Sequence, residues 1–561
     1  AGYDLTFSAP KSVSVLWALS PPSVQRRIWE AHHRAIDDVL GLFEREVAAT
    51  RMGATGPDGA VAQVDVHGVA AVAFDHWDSR TGDPQLHTHV VVSNKVRTVA
   101  DGAWRSLDGR PVHAAMVALS EHYNGLLADR LARTLGVQWG LRARGADRNP
   151  ALEISGVPQS LLDGFSSRTA AIEQAKDQLI ADYVATHGRQ PTAEVVIRLR
   201  QQATLATRPD KQVCSLQDLT TGWHDRAARM LDDDPAKWAA GLVQTPATPV
   251  LSSGDPDVEQ IAATVLGSVG ERRSTWHHWN LHAEASRRFA GHRFDSPRAR
   301  ETAVDQVVAR AEAGSVPIEP PDLAPVPAAL RRADGTSVFR PRHAARYTST
   351  GLLASEDRLL RLSRDTTGPA APDHVVATVV QLPDRDGRTP GSDQAEAVVS
   401  IARSGRRVDL LVGPAGTGKT TTLAALRRVW ETSHGPDSVV GLAPSAAAAR
   451  VLADELGIAT ENTAKWLHDH RSGRAALTPG QLVIIDEATL AGTHTLDALA
   501  THAATVEAKV LLVGDPAQLA AVQAGGAFSL LATDRPDHPT LTEVRRFTTP
   551  WEADASLQLR R

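Results

Sequence analysis

One glycine-rich stretch limits the fold of this chain more than any other feature. Residues 408–412, which are apolar except for Asp409, are typical of a buried strand, and a helical pattern follows at 423–429. The loop between them contains Gly413, Pro414, Ala415, Gly416, Thr417, Gly418, Lys419, Thr420 and Thr421. This order of strand, loop and helix is typical of a phosphate-binding loop, whose glycines let backbone N–H groups surround phosphates at a helix N-terminus. The sequence therefore predicts an α/β domain that binds ATP and Mg²⁺, with Lys419 on the β- and γ-phosphates and Thr420 on the metal.

Two further strand ends are expected at the same site. The apolar run 482–485 predicts a central strand, and Asp486 and Glu487 follow at its carboxyl end, where α/β sheets bind ligands. We expect Asp486 to hold Mg²⁺ through water and Glu487 to polarise the attacking water. A further strand, predicted at 510–513, leads to Gln518, which can sense the γ-phosphate.

A second candidate site lies near the N-terminus. His87 and His89 are two residues apart at the start of a β-branched run, so both imidazoles should lie on one face of a strand. His76 precedes a polar turn at 79–84, which predicts a hairpin that returns the chain alongside it. Two such histidines alone often lie on an exposed strand face without binding a metal. A third histidine on the facing arm of the hairpin favours a divalent metal site that leaves coordination positions open for substrate.

Composition sets the broad class of protein. The 561 residues suggest three or four domains, and a net charge of −5 means that any nucleic acid would be bound by local basic grooves. The single cysteine, Cys214, excludes an intrachain disulfide and favours a reducing compartment, which we take to be the cytoplasm. We expect neither a signal peptide nor a membrane span, since no apolar run approaches the roughly 20 residues that a span needs.

The pattern along the chain suggests three parts. Residues 1–242 predict an α+β domain, and 243–385 combine a linker rich in Pro, Ser, Thr and Gly with a helical connecting region. Residues 386–561 form the predicted nucleotide-binding domain. In the first part we expect Ser23 to cap a long helix and His122 to be an exposed or capping residue.

The stretch 74–92 resembles the His-hydrophobe-His motif of the MobF-type (TrwC/TraI-like) conjugative relaxases, with Thr88 in the middle position. A second motif of that family is similar to residues 2–14, GYDLTFSAPKSVS. The resemblance implies that the three histidines hold a divalent cation, Mg²⁺ or Mn²⁺, on the scissile phosphate of plasmid DNA. It also implies that Asp4 lies beside them, where it orients a histidine or accepts a proton from the nucleophile.

The nucleophile of that family is a tyrosine, or a pair of them, upstream of the motif that holds Asp4. This chain begins at Ala1, inside that motif, so we expect the catalytic tyrosines to be missing. Tyr3 adjoins Asp4 in a predicted strand, and the two side chains should therefore point to opposite faces. We expect Tyr3 to pack in the sheet or core.

The C-terminal motifs, in their order and spacing, resemble a RecD-like superfamily 1B DNA helicase. The resemblance implies that Gln394 reads adenine and that Arg546, with Arg545 as the close competitor, stabilises charge on the transferred phosphoryl group. It further implies 5′-to-3′ movement. Because the chain stops at Arg561, we expect the last helicase motifs to be missing, and nucleotide binding without unwinding by this chain alone.

Together these features predict a multidomain α/β protein with an N-terminal α+β relaxase domain, a helical connecting region and a C-terminal RecA-like domain. The expected function is nicking of single-stranded DNA at a plasmid transfer origin by tyrosine transesterification, coupled to ATP-dependent unwinding, with other conjugation proteins as partners. One alternative is an inactive fragment that binds DNA, metal and ATP. Another is a repair helicase with an unrelated metal domain, which the motif around Asp4 disfavours.

Overall fold

The computed structural model of the chain falls into two compact units, which are described separately. The N-terminal unit comprises Ala1–Val265, His277–Ala313 and Glu319–Ala345, and the C-terminal unit comprises Leu266–Trp276, Gly314–Ile318 and Arg346–Arg561. The structure describes residues 2–53, 60–145, 148–187, 191, 193–210, 214–244, 257–319, 325–332, 334–383, 387, 389–414, 416–517, 524–543, 545 and 551.

A three-stranded antiparallel sheet is the centre of the N-terminal unit. Strand β5 (Pro84–Ser93) lies in the middle, between β1 (Gly2–Ser8) and β4 (Ala71–Asp78). Its residues alternate strictly between buried positions and half-buried or exposed ones, as expected for a sheet covered on one face. The covering helices are α1 (Lys11–Leu19), α2 (Pro22–Glu46) and α3 (Gly109–Leu135), which share one hydrophobic core with the sheet.

The remaining elements of this unit are short strand pairs and helices. The antiparallel pairs are β2 (Ala49–Gly53) with β3 (Val61–Asp65), β6 (Lys95–Arg97) with β7 (Trp104–Ser106), and β8 (Trp139–Arg142) with β9 (Ala151–Ile154). The later helices are α4 (Gln159–Gly164), α5 (Ser167–His187), α6 (Ala193–Ala206), α7 (Leu216–Leu231), α8 (Pro235–Leu242), α10 (His278–Arg288) and α11 (Pro297–Ala313). Helix α9 (Val258–Arg272) is divided between the two units, with residues up to Val265 in this one.

Two sequence expectations in this unit are wrong. Ser23 does not cap α2, because the helix begins at Pro22 with Pro21 as N-cap; proline is favoured at the first helical position since it has no N–H to leave unpaired. His122 is fully buried rather than exposed, because α10 packs against α3.

The C-terminal unit is built on a five-stranded parallel sheet, which confirms the predicted α/β class. The strand order is β12 (Val408–Val412), β16 (Lys509–Gly514), β15 (Leu482–Ile485), β13 (Val439–Ala443) and β14 (Ala459–Asn462). Strands β12, β15 and β16 are buried along their whole length, as helix-covered parallel strands are. The small pair β10 (Val316–Pro317) and β11 (Tyr347–Thr348) also belongs to this unit.

The helices of the C-terminal unit are α12 (Thr350–Arg364), α13 (Asp373–Val379), α14 (Ser392–Arg403), α15 (Lys419–His434), α16 (Ala446–Leu456), α17 (Thr463–Arg471), α18 (Thr493–Thr505) and α19 (Ala527–Asp534). The predicted strand at 408–412 is confirmed residue for residue, and the predicted helix after it is longer than expected. Within the described part of the chain, no helix has the length and apolar character needed to cross a membrane.

Candidate metal centre and nucleotide site

The predicted hairpin of β4 and β5 is present, and it gathers the three histidines. His76 pairs directly with His87, and His89 lies two residues further along β5 on the same face. The ring centroids of the three imidazoles are 5.1 to 5.3 Å apart, and one potential ligand atom from each lies within 4.8 Å of the others. All three side chains are half-buried. The structure therefore brings the predicted metal ligands together on a rigid sheet.

The hydrogen bonds of these imidazoles leave nitrogens available for a cation. Nδ1 of His87 donates to the carbonyl oxygen of Gln85 at 2.8 Å, because a carbonyl can only accept. Nδ1 of His89 donates to the Asp4 carboxylate at 2.9 Å for the same reason. Nε2 of both rings is thus left for a ligand, and Nδ1 of His76 is buried without a hydrogen-bond partner among the described residues. The donor set fits a divalent cation with open coordination positions.

The electrostatics favour the metal-binding form of the central histidine. Burial lowers the pKa of His87, and the neighbouring imidazoles of His76 and His89 lower it further. His87 is therefore neutral at physiological pH, which is the form that binds metals.

Tyr3 lies away from this centre. It pairs with Val92 of β5, one position from Asp4, and its side chain packs against the hydrophobic core rather than beside the histidines. Its ring lies 6.2 Å from that of His113, between centroids. The expectation that Tyr3 packs in the core is confirmed.

In the C-terminal unit, the glycine-rich loop connects β12 to α15 as predicted, with Thr421 in the first turn of that helix. Gly416 and Gly418 adopt positive φ angles of 88° and 79°. The positive φ of Gly418 favours glycine, and a Cβ atom at this position would lie 2.3 Å from Nε2 of Gln394, so the Gln394 side chain would have to move. The Lys419 ammonium donates to the carbonyl oxygens of Gly413 and Pro414, at 2.8 and 3.3 Å. The loop thus has the compact form expected of a phosphate cradle.

Gln394 is buried against this loop. Its amide nitrogen donates to the carbonyl oxygens of Thr417 and Gly418, at 3.3 and 3.2 Å, and its oxygen accepts from the N–H of Gly391 at 3.0 Å. These contacts connect the start of α14 to the phosphate-binding loop. The role of Gln394 in reading adenine stays a prediction.

The two predicted acidic residues follow β15. Burial raises the pKa of Asp486, and desolvation together with the charge of Asp486 raises the pKa of Glu487. Glu487 has a φ of 50°, in the left-handed region, which is uncommon for a residue with a side chain and is often found at functional sites.

Sequence reasoning missed Glu455 of α16. The Thr420 hydroxyl, predicted to ligate Mg²⁺, donates to the Glu455 carboxylate at 2.8 Å, and the Glu455 charge contributes to the raised pKa of Asp486. An acidic residue on an exposed helix face gives no signal in the sequence that it reaches this site.

Three predicted residues, Ala415, Gln518 and Arg546, lie outside the described residues. The competitor Arg545 is described. Its guanidinium pairs with Asp393 at 2.7 Å and Glu543 at 2.6 Å, and its backbone N–H donates to the carbonyl oxygen of Gly416 at 2.8 Å. Arg545 therefore lies against the phosphate-binding loop.

One stretch in each of the two units matches a known protein family. Residues 1–230 match the TrwC relaxase family, and residues 389–561 match the AAA domain family. The multifunctional conjugation protein TraI of Escherichia coli is 31% identical over 48% of this chain and 14% of its own length. The ATP-dependent RecD2 DNA helicase of Deinococcus radiodurans is 32% identical over 37% of this chain and 30% of its own length.

A solved structure of the conjugative relaxase TrwC, copper-bound and in complex with oriT DNA, is 32% identical, with a TM-score of 0.34, over 42% of this chain and 72% of that chain. The present chain spans 14% of the length of TraI. The two family matches occur in the order that the sequence motifs predicted. The chain therefore has the fused relaxase–helicase architecture, in which a TrwC relaxase domain is followed by an AAA domain related to RecD2 helicase.

Proposed function

We propose that this chain acts in conjugation, by nicking single-stranded DNA at a plasmid transfer origin through tyrosine transesterification coupled to ATP-dependent unwinding. The observation that carries the proposal is the cluster of His76, His87 and His89, whose ligand atoms lie within 4.8 Å, together with the bond from His89 to Asp4. The similarity to TraI, a conjugation protein, supports the biological context. The nucleophilic tyrosine is not assigned to any residue of this chain.

In this proposal the three histidines hold Mg²⁺ or Mn²⁺. The cation would act as a Lewis acid that polarises the scissile phosphate and stabilises charge in the transition state. Asp4 fixes the orientation and tautomer of His89, because its carboxylate accepts the Nδ1 hydrogen. Three protein ligands leave open positions at which a phosphate oxygen of DNA can bind.

The second half of the proposal concerns the nucleotide site. Lys419 would reach the β- and γ-phosphates of ATP, Thr420 and Asp486 would hold Mg²⁺, and Glu487 would polarise the attacking water. The raised pKa values of Asp486 and Glu487 are typical of a site that has lost part of its hydration. Gln518 and Arg546 keep their proposed roles at the γ-phosphate.

We also propose the domain boundaries, the partners and the location of the chain. The domain boundaries near residues 242 and 385 are proposed from the composition and pattern of the sequence. Other conjugation proteins are proposed partners because TraI is a conjugation protein. A cytoplasmic location rests on the presence of a single cysteine.

The test is incubation of the chain with a labelled single-stranded transfer-origin oligonucleotide and Mn²⁺, beside a His87→Ala/His89→Ala variant. A DNA adduct that survives denaturation, formed by the wild type alone, would assign the nucleophile to a tyrosine within these 561 residues. Mn²⁺-dependent binding without an adduct would support the metal and DNA site, with the nucleophile supplied from elsewhere. The absence of both DNA binding and an adduct would contradict the proposed relaxase function.

A further inference from the structure

A buried chain of polar side chains lies directly behind the metal-binding face. Thr88 stands between His87 and His89, so its side chain points to the opposite face of β5, where it is fully buried. Its hydroxyl lies 2.6 Å from Oδ1 of Asp75 and 2.8 Å from Nε2 of His32. His32, in α2, is also fully buried, and its Nδ1 lies 2.6 Å from the hydroxyl of Tyr123 in α3. Two helices and two strands are thus connected through one line of hydrogen bonds.

The direction of each hydrogen bond follows from what each group can donate. A carboxylate only accepts, so Thr88 gives its one hydrogen to Asp75 and must accept from Nε2–H of His32. Burial lowers the pKa of His32 to about 3, so the ring is neutral. A neutral ring with its hydrogen on Nε2 has a bare Nδ1, which accepts from the Tyr123 hydroxyl. A single arrangement of protons therefore satisfies every member of the chain, which is the condition under which a buried polar network makes a core rigid.

The position of this network matters because the sheet becomes irregular beside it. Asp75 pairs with Thr88 and His76 pairs with His87, but the register shifts between His76 and Asp78. His76 therefore occupies the last regular pair before the irregularity, where bulges redirect side chains and weaken the ladder. The bond between Asp75 and Thr88, one pair away, holds the two strands together from the opposite face.

We propose that Thr88, Asp75 and His32 are positioning residues of the metal centre, which fix His76 opposite His87 and so set the affinity and coordination geometry of the bound cation. The inference rests on the proposed metal site and adds the residues that shape it. Valine at position 88 would fill the same volume, but its side chain could make no hydrogen bond to Asp75 of β4 or His32 of α2. His33 supports the same carboxylate, with its Nε2 3.1 Å from Oδ2 of Asp75.

The experiment titrates the full chain with Co²⁺, whose visible absorption reports the geometry of its ligands. We expect Thr88→Val to bind Co²⁺ about 10-fold more weakly, with a changed spectrum at saturation, and Thr88→Ser to restore both. The matched control is Thr50→Val, because Thr50 is equally buried and its hydroxyl donates to the carbonyl oxygen of Ser106 at 2.6 Å, away from the histidines. This control loses a comparable hydrogen bond and should keep the wild-type affinity and spectrum.

Wild-type affinity and spectrum in Thr88→Val would overturn the positioning role while leaving the metal site intact. Failure of the wild type to bind Co²⁺ would instead overturn the metal site itself. If circular dichroism shows that Thr88→Val is unfolded, Asp75→Ala replaces it, since Asp75 is only half-buried. Asp75→Ala should show the same weaker binding and changed spectrum, and a wild-type result would overturn the inference.

Discussion

Both carboxylate oxygens of Asp4 lie 2.9 Å from Nδ1 of His89, so that a residue of the first strand fixes the tautomer of a histidine 85 residues away. This hydrogen bond joins the two motifs that identify the relaxase domain. It also leaves Nε2 of His89 without a hydrogen, and so able to bind a cation. Asp4 thus belongs to the metal centre through its hold on a ligand.

Replacing Asp4 with asparagine should weaken metal binding. The asparagine side chain fills the same space, but it lacks the charge that raises the basicity of the imidazole, so we expect Asp4→Asn to bind Mn²⁺ about 10-fold more weakly. Isothermal titration measures this affinity. Asp37→Asn, an exposed change on α2, is the control and should match the wild type; equal affinities in all three proteins would remove Asp4 from the metal centre.

Replacing Lys419 with alanine should abolish most nucleotide binding. The charge-assisted bonds from this ammonium to phosphate oxygens are worth about 2 kcal/mol, so the affinity for a fluorescent ATP analogue should fall about 10- to 100-fold. Lys465→Ala removes an equal charge at the surface, where Lys465 pairs with Glu461, and should leave the affinity unchanged. Tight binding by Lys419→Ala would place the phosphates elsewhere.

Glu455 should affect the magnesium dependence of nucleotide binding. Its carboxylate accepts from the Thr420 hydroxyl, so its charge lies where the proposed Mg²⁺ must bind. In Glu455→Gln, we expect the Mg²⁺ concentration for half-maximal ATP binding to rise about 5-fold, which corresponds to about 1 kcal/mol for one charge near a protein surface. Asp454→Asn removes a neighbouring exposed charge as the control. Identical Mg²⁺ titrations for both variants would show that Glu455 does not act on the cation.

The N-terminal unit should lose stability in mild acid. Burial lowers the pKa of His32 and of His122 from 6.5 to about 3. Between these pH values the two histidines are protonated in the unfolded chain but not in the folded one. The free energy of unfolding therefore has its full value above pH 6.5 and decreases as the pH falls below it. At about pH 5 each histidine costs about 2 kcal/mol of unfolding free energy.

Scanning calorimetry from pH 8 to pH 5 measures this effect, and the transition that shifts on addition of Mn²⁺ identifies the N-terminal unit. His122→Leu removes a buried imidazole whose two nitrogens lack hydrogen-bond partners among the described residues. It should make this transition less sensitive to acid. An unchanged pH dependence in the variant would show that His122 does not control it.

Local spacing allowed much of both sites to be predicted. His87 and His89 share a face because strand side chains alternate, and the turn after His76 returns the chain with few alternatives. The phosphate-binding loop can be predicted equally well, because its glycines, its lysine and the flanking strand all lie within one short segment. In both cases the information is contained in neighbouring residues.

Contacts between distant segments were not predictable in the same way. His122 is buried because α10 packs on α3, and no pattern within α3 indicates that helix as its neighbour. The approach of Glu455 to Thr420 and the bond from His32 to Thr88 also depend on how elements pack. Helix and strand periodicity specify a face, but not which partner covers it.

The central claim is that His76, His87 and His89 bind one divalent cation, and Mn²⁺ titration of the nucleotide-free chain tests it most directly. The His87→Ala/His89→Ala variant is compared with His67→Ala, which removes an exposed histidine of the same unit. We predict one tightly bound Mn²⁺ per chain for the wild type and for His67→Ala, and none for the double variant. Equal Mn²⁺ binding by the double variant, or no binding by the wild type, would contradict the account.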